Sequence, residues 1–328
     1  MRSKLMLHCA ASLCLIAGGA GPVVAQTFPE RAVTMVVPFA PGGAADSTGR
    51  ILAEAMAKPL GQSVIIENSS GAGGTIGVAK VKNAAATGHT IGLGHMGTQA
   101  ASVATYANLP YDPLKDFDYL GLVATTPNVV FINKDLAVNT LAEFAAYAKT
   151  KGSDLKMGHS GIGAASHITC VLFFQLIGVE PTYVPYRGFG QAVQDVIGGR
   201  LDGGCDLVAS VTPLAKAGSI KVLAVATDDR SAALPDVPTS TEAGMPAFKA
   251  ETWTGLFAPK GTPEPALAKL RAAVAEALAD PVMQGKLAAI GADTPKPKTQ
   301  GGDYMQALVV SEVTRWSDIM KKAGVQPQ

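Results

Sequence analysis

The chain has 328 residues, 48% of them hydrophobic, with 27 Lys and Arg against 26 Asp and Glu. Such a near-neutral balance leaves no electrostatic footprint for nucleic acid and no basic run to hold the chain on an anionic membrane. The length suffices for two packed α/β domains.

The first residues read as a secretion signal. Arg2 and Lys4 form a positive n-region, Leu5 to Ile16 an apolar h-region, and Gly18 to Pro22 a helix break. Val23-Val24-Ala25 offers small residues for cleavage, so residues 1–25 are expected to be removed after Ala25. A retained anchor is the competing reading, but the run is short of the roughly 20 residues a span needs. Cys14 does not read as a lipoprotein cysteine, because Leu13 precedes it where a small residue is expected. Loss of Arg2 and Lys4 leaves 25 basic against 26 acidic residues. No later apolar stretch is long enough to span a bilayer, so the mature chain is expected to be exported and not membrane-spanning.

Strands are predicted at Ala32–Pro38, Ser63–Glu67 and Thr90–His95, with helices at Ala44–Lys58 and Thr75–Asn83 between them. This βαβαβ rhythm implies a mostly parallel sheet with helices on both faces. It restarts after residue 127. Thr140 to Glu143 is a capping box opening a helix to Lys149. Strand Leu155–Gly158, helix Ala164–Ile177, strand Thr182–Tyr186, helix Gln191–Ile197 and strands Gly203–Asp206 and Val222–Ala226 follow. Thr239 to Glu242 is a second capping box. Strand Glu251–Ala258 precedes a helix with Thr262 as N-cap and Pro263 at its first position, ending near Ala279. Asp280-Pro281 starts the next helix, which Gly291 ends, and Asp303–Lys322 is the last, closed by Gly324.

Three glycine-rich stretches follow predicted strands: Pro38 to Asp46, Ser69 to Gly74 and Gly158 to Gly163. Glycine lets a ligand approach backbone N–H groups closely, and a helix N-terminus adds unpaired donors and a positive dipole end. Such loops suit an anion, most simply a carboxylate, at the carboxyl ends of the strands. Each has a plainer reading. The first is also an ordinary turn with Asp46 as helix cap and Phe39 as packing. Gly71 to Gly77 fails as a dinucleotide fingerprint, since Ile76 stands where the third glycine belongs and no acidic residue follows at the ribose spacing. Gly158-His159-Ser160-Gly161 fails as a nucleophile elbow because Ile162 occupies the last glycine. His95, His159 or His167 with Asp206 would have to complete a hydrolase, and their spacing does not argue for it. Arg187 is a candidate partner for a ligand carboxylate or a solvated cation. Cys170 and Cys205 are the two cysteines left after signal removal, either disulfide-bonded or two buried thiols; no metal-ligand spacing accompanies them.

The motifs also carry a family resemblance, specific as a set. They are Val36 to Gly43 followed by Asp46, Glu67-Asn68 ahead of Gly71 to Gly74, and Ser166-His167 ahead of Val184 to Gly188. Leu234 to Thr239 and Phe257 to Pro263 complete them. Over residues 28–328 the chain resembles the Bug-type periplasmic solute-binding proteins, receptors of the tripartite tricarboxylate transporter kind. The resemblance implies an α/β, type II-like periplasmic-binding-protein fold of two domains, each a mostly parallel sheet flanked by helices. Residues 26–126 plus 250–328 would form one domain and 127–249 the other, joined by crossover strands near Val123–Asn128 and Ala247–Trp253. Their cleft would close on a small organic carboxylate, a dicarboxylate or aromatic acid. Phe39, Ala40, Pro41, Gly42, Gly43, Ala44, Asp46, Asn68 and His95 would hold it from one side. Ser160, Gly161, Ile162, Gly163 and Asp206 would hold it from the other. The resemblance implies no catalysis, metal or cofactor. It implies a monomer that passes its ligand to membrane transporter subunits, or to a sensor. It also brings Cys170 and Cys205 near one domain core, which favours the disulfide. Departures at Cys170, Cys205, Leu207 and His95 bear on which carboxylate is bound.

Overall fold

The computed structural model describes residues 28–322 and 324–327. The signal segment and its cleavage site lie outside the described residues. In chain order the elements are β1 (Val33–Val37), α1 (Ala44–Leu60), β2 (Val64–Asn68), α2 (Thr75–Lys82) and β3 (Thr90–His95). A π-helical turn, Gly97–Ala101, runs into α3 (Ser102–Thr105), and β4 (Phe117–Asn133) follows. Next come α4 (Leu141–Lys151), β5 (Lys156–His159), α5 (Ala165–Ile177), β6 (Thr182–Pro185), α6 (Phe189–Ile197) and β7 (Gly203–Leu207). The chain continues with α7 (Val208–Lys216), β8 (Ile220–Val225), β9 (Glu251–Pro259), α8 (Glu264–Ala279), α9 (Pro281–Ala289) and α10 (Gly302–Lys322).

The strands run β2-β1-β3-β9-β4-β7-β5-β6, with β8 also on β4. β1 pairs in parallel with β2 and β3, and β5 with β6 and β7. β4 and β9 run antiparallel to their neighbours, so the sheet is mixed. β1 is buried on both faces, which is why it reads as the continuous apolar run Val-Thr-Met-Val-Val.

β4 ties the two lobes together. Its first part pairs with β9 as far as Pro127 opposite Glu251; its second part pairs with β7 from Asn128 opposite Leu207. Proline has no N–H to give a ladder, and here it falls where β4 changes partners. The second connection returns through Ala250, whose carbonyl accepts from the Asn128 N–H at 3.0 Å. Side chains lock the two connections as well: buried Asn128 donates to Thr252 Oγ1 at 3.0 Å, and that hydroxyl donates to Asn128 Oδ1 at 3.2 Å.

Lobe 1 comprises β1–β3, β9 and the first part of β4; lobe 2 comprises β5–β8 and the rest of β4. Two apolar clusters lie within lobe 2 and one within lobe 1. A fourth spans both: Ala165, Ile168 and Val171 of α5 pack with Met96, Ala100, Trp253 and Trp316 of lobe 1. That accounts for the composition of α5, apolar nearly all round, with lobe 2's core on one side and lobe 1 on the other.

Several local expectations hold. Thr140 Oγ1 accepts the Glu143 N–H, though Glu143 reaches back to the Asn139 N–H rather than to Thr140. Thr239 and Glu242 form the reciprocal pair, closing a turn. Asp280 caps α9 through the Val282 N–H. Thr262 is not a cap: Pro263 holds the N-cap position of α8, and the Thr262 hydroxyl donates to the Pro259 carbonyl. Cys170 of α5 and Cys205 of β7 form a disulfide, with Cα atoms 5.4 Å apart.

Candidate functional site

A cleft of about 530 Å³, mouth included, opens between the lobes at the carboxyl ends of β1, β3, β5, β6 and β7. Lobe 1 lines it with Phe39, Ala40, Pro41, Gly43, Ala44, Ala45 and His95. Lobe 2 lines it with Ser160, Ala164 to Ser166, Gly188 to Gly190, Asp206, Leu207 and Ser210.

Most of the lining comes from the starts of four helices: Gly43 to Ala45 of α1, Ala164 to Ser166 of α5, Gly188 to Gly190 of α6, and Leu207 and Ser210 of α7. None of these four termini carries a side-chain cap within the described residues. A helix leaves its first N–H groups without intrahelical acceptors. Their natural partner is an anion in the cleft. No Lys or Arg among the described residues lines it. Arg187 is exposed and outside the lining.

The titratable groups in the cleft are few. His95 Nδ1 accepts the Gly97 N–H at 2.8 Å, which leaves the ring proton on Nε2. Burial pushes its pKa down to about 4, so the ring is neutral at pH 7. It stacks on Phe39 with centroids 5.0 Å apart. Asp206 is 7% exposed and accepts the Leu207 N–H at 2.8 Å. Burial pushes its carboxyl up to about 6, against the Leu207 N–H and the Ser210 and Ser160 hydroxyls.

Other expected site residues stand behind the wall. Asp46 accepts from the Gly42 N–H and Arg50 Nε, each at 3.0 Å. Burial would raise its pKa, but Arg50, the Gly42 N–H and Asn68 outweigh that and hold it below the usual carboxylate range. Asn68 Nδ2 donates to Asp46 Oδ1 and to the Phe39 carbonyl, both at 3.0 Å. Gly42, Asp46 and Asn68 thus fix the β1–α1 loop without lining the cleft. Gly161, Ile162 and Gly163 also lie outside the lining, where the lobes meet.

The Ser160 hydroxyl is partnered by the Asp206 carboxyl, and no Ser–His pair forms there among the described residues. Its N–H donates to Ser166 Oγ at 2.9 Å. His159 Nδ1 accepts from Gly161 and His167 Nδ1 from Gly163, both through backbone N–H groups. No histidine among the described residues is hydrogen-bonded to the Ser160 hydroxyl.

Sequence reasoning missed the α6 and α7 termini. Gly188-Phe189-Gly190 after a strand carried the same signal as the first loop. Ser210 was hidden because Pro213 masks α7.

Two α/β lobes, two β connections and one cleft lined by strand-end loops define a periplasmic-type solute-binding protein. The chain belongs to the tripartite tricarboxylate transporter family of receptors, whose family model matches residues 48–325. Among solved structures, MatC of Rhodopseudomonas palustris with bound malate is 42% identical, with a TM-score of 0.85 over 89% of this chain and 99% of that one. The periplasmic binding protein BugD is 38% identical, with a TM-score of 0.88 over 92% of this chain and all of that one. A second R. palustris protein, solved with adipate, is 35% identical, with a TM-score of 0.86 over 92% of this chain and 100% of that one. The protein BugT of Bordetella pertussis is 32% identical over 94% of each chain. The family is one of solute-binding receptors, not of enzymes.

Proposed function

We propose that this chain is an extracytoplasmic receptor that binds a small organic carboxylate in the interlobe cleft and delivers it to a membrane transporter. The observation that carries this reading is the convergence of four uncapped helix N-termini on one cleft that no Lys or Arg lines. Backbone dipoles, fixed before the ligand arrives, would stabilise its charge without the side-chain ordering a flexible cation requires. Donors stand on both lobes, so a dicarboxylate has a place for each end. Both ligands of the solved relatives, malate in MatC and adipate in its R. palustris counterpart, are dicarboxylates.

Phe39, Ala40, Pro41, Gly43, Ala44, His95, Ser160 and Asp206 would contact the ligand; Gly42, Asp46 and Asn68 would hold the first loop. The buried Asp206 carboxylate would accept from a ligand hydroxyl or amine, or from the acid form of the ligand. We further propose export by residues 1–25 with cleavage after Ala25, a monomer in the periplasm, and domains of residues 26–126 plus 250–328 and 127–249. The test is a thermal-shift screen of the mature chain against malate, succinate, adipate and aromatic acids. Binding to the folded state raises the melting temperature by mass action. A shift confined to one carboxylate class supports the reading; a folded protein that no carboxylate shifts contradicts it.

A further inference from the structure

The second glycine-rich stretch does not line the cleft. Gly71, Ala72, Gly73 and Gly74 have φ of 133°, 45°, 61° and 98° in succession. Three of these are glycines, which take positive φ readily, so the backbone strain lies at Ala72, and the glycine at 73 calls for a separate reason. The reason lies across the gap between lobes. A Cβ on Gly73 would sit 2.0 Å from the Ile162 carbonyl oxygen, and one on Gly161 would sit 2.8 Å from the Gly73 nitrogen. A Cβ on Gly97 would sit 2.5 Å from the Gly163 carbonyl oxygen. Backbone therefore meets backbone at two places, each made possible by the missing Cβ. Tyr106 of lobe 1 adds a hydrogen bond, donating its hydroxyl to the Ile162 carbonyl at 2.8 Å. Burial raises the Tyr106 pKa to about 12, so the hydroxyl stays a donor throughout the neutral range. On the lobe 2 side the loop is held from behind by His159 and His167, which accept the Gly161 and Gly163 N–H groups.

We propose that Gly73, Gly97 and Tyr106 form a closure latch against Gly161 to Gly163, and that this latch sets affinity by setting how much of the protein is closed. The proposal rests on the receptor reading for its link to affinity, but the latch itself is a contact between lobes. Apparent affinity falls in proportion to the fraction of protein that is binding-competent. A side chain at position 73 would prop the lobes apart while leaving every wall of the cleft intact. Loss of the Tyr106 hydroxyl would remove one hydrogen bond and nothing else.

The experiment places spin labels at Lys58→Cys in lobe 1 and Lys149→Cys in lobe 2, both exposed, with the Cys170–Cys205 disulfide left in place. Interlobe distances are measured without ligand and with malate, in the parent and in Tyr106→Phe, Gly73→Ala and Ser70→Ala. Tyr106→Phe and Gly73→Ala should move population to longer distances, and Ser70→Ala should not. Where malate binds the parent, its dissociation constant should rise about fivefold in Tyr106→Phe, the loss of one ordinary hydrogen bond. It should rise further in Gly73→Ala. Melting temperatures without ligand separate this from simple unfolding: Tyr106→Phe should melt close to the parent. Parent-like distances in both variants overturn the latch. A parent that malate neither closes nor stabilises tells against malate as ligand, while the ligand-free distances still decide the latch.

Discussion

Lobe 1 brings one helix N-terminus to the cleft, that of α1; lobe 2 brings three, those of α5, α6 and α7. Lobe 2 also holds the buried Asp206 and the disulfide that ties α5 to β7 next to it. Lobe 1 instead spends its polar side chains behind the wall, where Asp46, Arg50 and Asn68 pin one loop. The difference suggests a division of labour. Lobe 2 supplies most of the amide field as a stiff half-site, and lobe 1 completes it with a single well-held terminus and the stacked Phe39–His95 pair.

The largest test of lobe 2's stiffness is removal of its disulfide. Cys170 and Cys205 are 35 residues apart in sequence, and Cys170→Ala with Cys205→Ala should lower stability by roughly 3–4 kcal/mol in denaturant unfolding. A change below about 1 kcal/mol would show that the apolar core alone fixes α5 on β7.

Asp206 sharpens the comparison through pH. Its folded-state pKa of about 6 lies above the ordinary 3.8, so its charge weakens the fold above pH 6, and that cost disappears as pH falls toward 3.8. The shift corresponds to roughly 3 kcal/mol at pH 7, which Asp206→Asn should recover. Three of the four buried histidines act oppositely. His95, His159 and His167 are depressed to about 4, 4 and 3 by burial, so the stability they contribute is complete above 6.5 and is lost as pH falls through 6.5 toward those values. Three groups outweigh one, and the parent should lose stability on acidification in a pH series of thermal melts. Asp206→Asn should lose it more steeply; parallel curves would remove Asp206 from the account.

Gly43→Phe asks how much the single lobe 1 terminus matters. A Cβ there would meet only the Ala40 carbonyl oxygen, at 3.9 Å, so the fold should tolerate the substitution while the ring fills the cleft. Calorimetry should show about a hundredfold loss of affinity, equivalent to about 2.7 kcal/mol, at an unchanged melting temperature. Affinity near the parent's would mean that lobe 2 binds alone. The smallest effect is expected at Arg50→Ala. Arg50 is largely exposed, and the buried Asp46 keeps the Gly42 N–H and Asn68 as donors when Arg50 is removed, so stability should fall by only about 1 kcal/mol. Asn68→Ala should cost more, because it removes the donor to the Phe39 carbonyl and one of the three donors to Asp46.

The parallel half of each lobe was legible in the sequence because short apolar runs alternate with helical spacing: β3 falls on Thr90–His95 as read, and α1 begins at Ala44 as read. The full length of β4 was not, since Gly121 and Pro127 break its pattern and its register shifts twice against β9. Gly121 is there because a Cβ would lie 2.4 Å from the Gln300 carbonyl oxygen, a contact no local pattern reveals. In the site, the loop after β1 was legible as a glycine turn before a helix. Asp46 and Asn68 were legible as polar residues near that loop, but their role behind it depends on β2 lying beside β1. The contact of Gly73 with Ile162 joins residues far apart in sequence across two lobes, which chain spacing cannot show.

The central claim is that backbone N–H groups at four helix N-termini hold the ligand. Amide chemical shifts and hydrogen exchange, followed by NMR as the tightest-binding carboxylate of the thermal-shift screen is titrated in, test it directly. Large shifts and slowed exchange are expected at Ala44, Ala45, Ala165, Ser166, Phe189, Gly190 and Val208. Saturable binding that leaves these amides unmoved would contradict it.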